Sequence, residues 1–181
     1  AYFEGNANGF RLLTHQFEGR RPGGFALTYT TLAAIVKYPW SSARAPESGK
    51  FGYFQSERAT YLDVANYLGI LPVDPATGHY VRHPLVYLVE AADDICYQVM
   101  DVEDAYKLRI LSYERTVNLL LRYFPADGRD HALATLETIG DRNERIAYLR
   151  AKAINILVEA CAEVFIEHEE EILRGAFVGT L

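Results

Sequence analysis

The chain is poor in sulfur, because its 181 residues include only two cysteines and one methionine. Cys96 and Cys161 each lie within an apolar helical pattern, so we expect small buried thiols rather than a disulfide framework. Positive charge is also in deficit, since 18 lysine and arginine residues stand against 24 acidic ones, a formal net charge of −6. This balance argues against a protein that coats nucleic acid, but it permits a locally basic pocket for an anionic ligand.

The sequence has no apolar run long enough to cross a bilayer, and it shows no signal peptide. With so little cysteine, it predicts a cytoplasmic location and no membrane partner. It contains no phosphate-binding loop of the NTPase type and no Ser/His/Asp set, and no two of its five histidines stand at a metal-ligand spacing. The first residues, AYFEGNANGFR, start without methionine inside an expected structured element, which indicates an excerpt from a longer protein.

Half of the residues are hydrophobic and 13% are aromatic, a composition that is typical of a globular domain with a substantial core. Apolar residues recur at helical spacing along most of the chain, and strand alternation does not persist anywhere. We therefore predict an all-α fold with one helical domain over residues 1–181. Helices are predicted over 2–16, 27–38, 56–68, 83–105, 112–124, 129–139 and 141–174.

The central helix, HPLVYLVEAADDICYQVMDVEDA at 83–105, carries the most informative pattern. Asp93, Tyr97 and Asp101 are spaced at i, i+4 and i+8, so they form one stripe along the helix. The neighbouring positions are mostly apolar, which predicts a buried helix. Buried carboxylates are costly unless they are paired, hydrogen-bonded or bound to a metal. The stripe is therefore expected to face either a metal ion with a polar substrate or a buried arginine or lysine.

Four blocks of the sequence resemble the deoxyguanosinetriphosphate triphosphohydrolase family of HD-domain, metal-dependent hydrolases. The blocks are FEGNANGFR at 3–11, TYTTLAAIVKYPW at 28–40, KFGYFQSE at 50–57 and the central helix at 83–105, and they occur in the family's order. The resemblance implies an all-α, HD-domain-like helical bundle. It also implies metal-dependent hydrolysis of dGTP or another dNTP to a deoxynucleoside and inorganic tripolyphosphate.

The resemblance implies that Asp93 is the last ligand of a divalent metal ion, with Mn²⁺ or Mg²⁺ expected. A hard carboxylate suits such an ion, which lowers the pKa of bound water and stabilises charge on a phosphoryl oxygen. The alternative is an acid on a solvated helix face, and by spacing alone Asp94 could take the place of Asp93. The family's His and His-Asp elements are expected to precede Ala1, so the chain alone should neither hold the metal nor catalyse, and no catalytic residue is assigned.

The resemblance also implies six substrate-binding residues. Tyr97 and Asp101 match positions that contact the deoxyribose, where the Tyr ring would exclude a 2′-hydroxyl and the carboxylate would accept a hydrogen bond from the 3′-hydroxyl. Their alternative is a buried tyrosine beside an acid on a helix face.

Lys37, Tyr38 and Lys50 match positions that reach the triphosphate, which cannot be desolvated without counter-charge. Asn6 matches a position near the substrate. For the two lysines the alternative is a solvated surface group, and for Asn6 it is an ordinary cap or turn residue.

The expected partners are a deoxynucleoside triphosphate and further copies of the chain in a homo-oligomer, with single-stranded DNA as a candidate. A second function stays open, namely a non-catalytic HD-like protein that binds nucleotides or single-stranded DNA and regulates a partner. An intact His and His-Asp pair before Ala1 would favour the enzyme, whereas its loss would favour the regulatory protein.

Overall fold

The computed structural model describes residues 3–19, 22, 24–45 and 49–181. Across these residues helices predominate and the strands are confined to one small hairpin, which confirms the predicted all-α class. The α-helices are α1 (Gly5–Thr14), α2 (Tyr29–Ala34), α3 (Arg58–Leu68), α4 (Pro84–Lys107), α5 (Tyr113–Leu120), α6 (Ala126–Thr138), α7 (Arg142–Glu167) and α8 (Glu169–Leu173). Short 3₁₀ turns occupy Ser42–Arg44, Gln55–Glu57 and Leu121–Tyr123, and the strands are β1 (Pro72–Asp74) and β2 (His79–Tyr80).

Two long helices differ from their predicted bounds in opposite ways. The central helix α4 continues past Asp104, where the sequence suggested a break, and ends at Lys107. The last predicted helix is instead divided, because His168 leaves helical geometry at φ −104° and ψ 15° between α7 and α8. The start of α7 follows the predicted cap, since the Asp141 carboxylate accepts hydrogen bonds from the backbone N–H groups of Asn143 and Glu144 at 2.8 and 3.0 Å.

The β1–β2 hairpin was not predicted, because its strands are too short to show alternation. Its turn is built around Asp74, whose carboxylate accepts hydrogen bonds from the Ala76 N–H at 3.0 Å and the Thr77 hydroxyl at 2.7 Å. The hydrogen bond from Thr77 is the main reason that the pKa of Asp74 lies below its usual value. Gly78 then closes the turn at φ +67°, a left-handed conformation that favours glycine.

The chain forms two compact units, one from residues 1–90 with 168–180 and the other from residues 91–167 with Leu181. We call them the first and the second unit. The single domain over 1–181 stays a prediction. None of the helices within the described residues is both long and apolar enough to span a membrane.

Stacked tyrosines form the centre of the first unit. The rings of Tyr53 and Tyr61 lie parallel with centroids 4.3 Å apart, and Phe10 and Tyr80 pack edge-on against Tyr61 at 6.0 and 5.7 Å. Burial raises the pKa of the Tyr53 and Tyr61 phenols well above the ordinary value, so both stay neutral. The Tyr53 hydroxyl donates to the Gly78 carbonyl, which anchors the hairpin to this aromatic core.

The second unit packs α4 against α5, α6 and α7. Its core is aliphatic, and fully buried members include Val99, Leu120 and Leu149. One carboxylate is enclosed with them: Glu103 is 4% exposed and lies 2.8 Å from Arg150 of α7 and 3.0 Å from Lys107 of its own helix. These two cations replace the water that the carboxylate loses on folding, so the ion pairs fasten α7 to α4.

Replacing Glu103 with alanine should lower the free energy of unfolding by about 2 kcal/mol, because Arg150 and Lys107 lose their shared carboxylate. Urea denaturation followed by circular dichroism measures this change. The matched control is Asp104→Ala. Asp104 is 60% exposed, and its contact with the same Lys107 is long, at 3.8 Å. That control should shift stability by less than about 0.5 kcal/mol. Equal shifts in the two variants would contradict a stabilising role for the buried ion pairs.

Candidate functional site

The first predicted site residue, Asn6, lies in the first turn of α1. That helix is capped by Glu4, whose carboxylate accepts hydrogen bonds from the backbone N–H groups of Asn6 at 2.6 Å and Ala7 at 3.1 Å. The Asn6 side-chain amide also donates to Glu4, at 3.0 Å. Glu4 is 4% exposed, and its Oε1 atom lies 3.4 Å from the Lys50 ammonium. The capping carboxylate thus links two of the predicted substrate residues.

The ring of Tyr38 lies near both predicted lysines, Lys37 and Lys50. The Lys37 and Lys50 Nζ atoms lie 5.9 and 5.8 Å from the centre of the Tyr38 ring. Such distances suit cation–π attraction, which favours positive charge beside a tyrosine face. Through Glu4, Asn6 belongs to the same group, which we call the lysine cluster: Asn6, Lys37, Tyr38 and Lys50.

A close contact between two backbone segments holds Lys50 beside Tyr38. Gly52 has no room for a side chain, because a Cβ atom there would clash with the Tyr38 carbonyl oxygen and lie 2.5 Å from Val36 Cγ1. The Gly52 N–H donates to the Trp40 carbonyl at 3.0 Å, and the Trp40 indole N–H donates to the Lys50 carbonyl at 2.6 Å. Glycine at position 52 therefore permits the approach that assembles the lysine cluster.

A residue that the sequence analysis did not single out, Glu90 of α4, also contacts the lysine cluster. Its side chain is 10% exposed, with Oε1 2.6 Å from the Lys37 ammonium and Oε2 3.0 Å from the Arg82 guanidinium. The available signal was an acid between Val89 and Ala91 in an apolar helix. Lys37 is distant in sequence and Arg82 precedes the start of α4, so helical spacing could not reveal either partner.

The other predicted residues lie on the second unit. Asp93, Tyr97 and Asp101 line one shallow depression of about 290 Å³ on α4, together with Cys96 and Met100. The three residues of the predicted stripe therefore share one face of α4.

The expected burial of α4 on nearly all sides is wrong. Tyr97 is 63% exposed, and Asp93, Asp101 and Cys96 are also exposed, so the prediction of two buried thiols fails at Cys96. Cys161 is half-buried. Only the opposite face of the helix packs into the core of the second unit, at positions such as Val99.

A divalent ion needs several ligands, and the residues that the structure describes include no group of three or more His, Cys, Asp or Glu side chains able to hold one. The exposed Asp93 provides one hard oxygen donor. The described part of the chain therefore does not fit a complete metal site by itself.

Comparison with known proteins shows relatives along almost the entire chain. A deoxyguanosinetriphosphate triphosphohydrolase-like protein of Pseudomonas aeruginosa is 41% identical over 191 residues, covering 99% of this chain and 41% of the relative. A similarly named protein of Synechocystis is 40% identical over 97% of the chain and 40% of its own length. A deoxyguanosinetriphosphate triphosphohydrolase of Salmonella arizonae is 30% identical over 97% of the chain and 36% of its own length.

The chain thus spans about two fifths of the length of these curated relatives. No family model matches it.

Gly52→Ala should lower the free energy of unfolding by about 2 kcal/mol or more, because the added methyl group forces the Tyr38 and Lys50 segments apart. Thermal or urea unfolding measures the loss. The control is Gly9→Ala in α1, where a Cβ atom would meet nothing within 4 Å. That variant should be neutral or stabilising by up to about 1 kcal/mol, because alanine is the better helix former. A neutral Gly52→Ala would show that the close backbone approach is not required.

Proposed function

Because the chain belongs to the deoxyguanosinetriphosphate triphosphohydrolase family, we propose that it supplies the substrate-binding residues of a metal-dependent dNTP triphosphohydrolase. The reaction would yield a deoxynucleoside and inorganic tripolyphosphate. The observation that carries the proposal is the lysine cluster, in which two ammonium groups lie 5.8 and 5.9 Å from the ring of Tyr38. Two cations held on one aromatic side chain suit a ligand with several adjacent negative charges.

The triphosphate is assigned to Lys37 and Lys50. Their side chains are 34% and 56% exposed, so they can meet a ligand from solvent, whereas the side chains of their partners Glu90 and Glu4 are only 10% and 4% exposed. Tyr38 would hold both ammonium groups near one ring by cation–π attraction. Asn6 shares the Glu4 carboxylate with Lys50 and would orient the same end of the ligand.

The deoxyribose is assigned to the exposed stripe of α4. The Tyr97 ring would pack on the sugar and leave no space for a 2′-hydroxyl, while Asp101 would accept a hydrogen bond from the 3′-hydroxyl. Both side chains line the depression on the second unit and are open to solvent. A ribonucleotide would therefore be rejected by contact rather than by charge.

Asp93 is proposed as one ligand of a divalent ion, Mn²⁺ or Mg²⁺, whose other ligands would come from outside the described residues. When bound, such an ion would activate the attacking water and stabilise the charge that develops on the phosphoryl oxygens. The carboxylate of Asp93 would contribute a hard oxygen donor on the same helix face as Tyr97 and Asp101. We further propose a cytoplasmic location, a homo-oligomer, and single-stranded DNA as a candidate partner.

The function is tested by product analysis on the complete protein as its gene encodes it, with each dNTP and either Mn²⁺ or Mg²⁺. Metal-dependent release of tripolyphosphate with a deoxynucleoside is expected. Release of pyrophosphate or orthophosphate would contradict the proposed bond cleavage. Binding of dNTPs without turnover would support the non-catalytic, regulatory function instead.

Lys37→Met in the complete protein should raise KM for the dNTP by about 10- to 100-fold, because one charge-assisted contact to the triphosphate is lost. Steady-state kinetics measure this change. The control is Lys152→Met, which removes an exposed lysine of α7 and should leave KM unchanged. An equal KM in the two variants would remove Lys37 from the substrate site.

Asp93→Ala should weaken metal binding by at least about 100-fold and reduce turnover to background, because a directly bound carboxylate is lost. Metal content and dNTP turnover of the purified complete protein are both measured. Asp94→Ala is the matched control, since it removes the adjacent exposed carboxylate, and it should keep metal and activity. The reverse pattern would transfer the ligand role to Asp94.

A further inference from the structure

Each of the two lysines of the lysine cluster contacts a largely buried carboxylate from another part of the chain. Lys37 contacts Glu90 at 2.6 Å, and Lys50 contacts Glu4 at 3.4 Å. The glutamate side chains are 10% and 4% exposed, whereas the lysines are 34% and 56% exposed. The carboxylates are thus more buried than the lysine side chains, which stay partly exposed.

We propose that Glu90 is a positioning residue for the polyphosphate of the substrate, acting through Lys37. This inference rests on the proposed function, because it concerns the same site. Glu90 does not touch the ligand. Its carboxylate fixes the direction of the Lys37 ammonium group before an anion binds, and it offsets part of the local positive charge.

A chain of contacts fixes the orientation of Glu90 itself. The Arg82 guanidinium contacts Glu90 Oε2 at 3.0 Å, and this contact directs Glu90 Oε1 toward Lys37. The Arg82 guanidinium also lies over the ring of Tyr87 at 5.5 Å, and the Tyr87 hydroxyl donates to the Phe177 carbonyl at 3.1 Å. Arginine holds its planar fork with little loss of freedom, so it suits this orienting role better than lysine does.

Glu90 places one negative charge between two cations, Lys37 and Arg82. A neutral glutamine at position 90 would remove that negative charge and make the local potential more positive. Polyphosphate should then bind more tightly at low ionic strength, although the Lys37 ammonium is no longer aimed by a carboxylate.

The same helix offers a matched comparison in Glu103, which also lies between two cations, Lys107 and Arg150. Glu103 is not in the lysine cluster, so Glu103→Gln reports the purely structural effect of removing a buried carboxylate from α4. Glu4 is a poorer test residue, because its carboxylate also caps α1 and its loss would disturb that helix.

The experiment uses the complete protein and compares Glu90→Gln, Glu103→Gln, Lys37→Met and the double variant Lys37→Met/Glu90→Gln. Calorimetry measures binding of inorganic tripolyphosphate at low and high salt, and kinetics measure kcat and KM for the preferred dNTP. Glu90→Gln should tighten tripolyphosphate binding at low salt, steepen its salt dependence and lower KM, while kcat falls by about 10- to 100-fold. Glu103→Gln should leave the salt dependence of tripolyphosphate binding unchanged.

The double variant separates positioning from general structure. With Lys37 already removed, Glu90→Gln should still tighten tripolyphosphate binding at low salt, because a negative charge is lost, but it should cause no further fall in kcat, because the positioning effect acts through Lys37. A wild-type protein that hydrolyses dNTPs while Glu90→Gln behaves like Glu103→Gln would overturn the inference and leave the proposed function standing. A wild-type protein that binds tripolyphosphate with the expected variant pattern, but hydrolyses no dNTP, would overturn the proposed function alone. Failure to bind tripolyphosphate would overturn both.

Discussion

A carboxylate can leave water only where cations or N–H groups replace the hydration it loses, and this constraint shapes both units of the chain. Glu4 is satisfied by the first N–H groups of α1 and by Lys50. Glu90 and Glu103, at two positions of α4, each lie between two cations. Each buried acid thereby ties together segments that are distant in sequence. The ion pairs thus add to the hydrophobic packing that places α1 and α7.

The same constraint holds the two lysines that we propose bind the anionic substrate. Glu90 and Glu4 contact the ammonium groups of Lys37 and Lys50, and the lysine side chains stay partly exposed. A lysine with four rotatable bonds would otherwise lose much conformational freedom on binding a ligand. Tyr38 adds a rigid ring near both charges. Pre-organisation of this kind would let the binding energy of the proposed polyphosphate ligand contribute to its orientation.

Most helices of the chain could be predicted from apolar periodicity and end signals, and the resemblance of four blocks to a known family supplied the candidate site residues. The hairpin was missed because five strand residues show no alternation, and the break at His168 carries no proline or glycine to announce it. Glu90 could not be assigned a role, because its contacts with Lys37 and Arg82 exist only after folding. The burial of α4 was overestimated, because periodicity does not tell which apolar face meets a core.

The depression on α4 also contains most of the sulfur in this chain. The chain contains three sulfur atoms, from two cysteines and one methionine, and those of Cys96 and Met100 line the same surface as Asp93. An oxidant would reach the exposed Cys96 more easily than the half-buried Cys161. A sulfinate or a sulfoxide there would turn an apolar lining polar, beside the side chains proposed to hold a metal and a sugar. Oxidative damage to this chain would therefore fall first on the face that we propose to be functional.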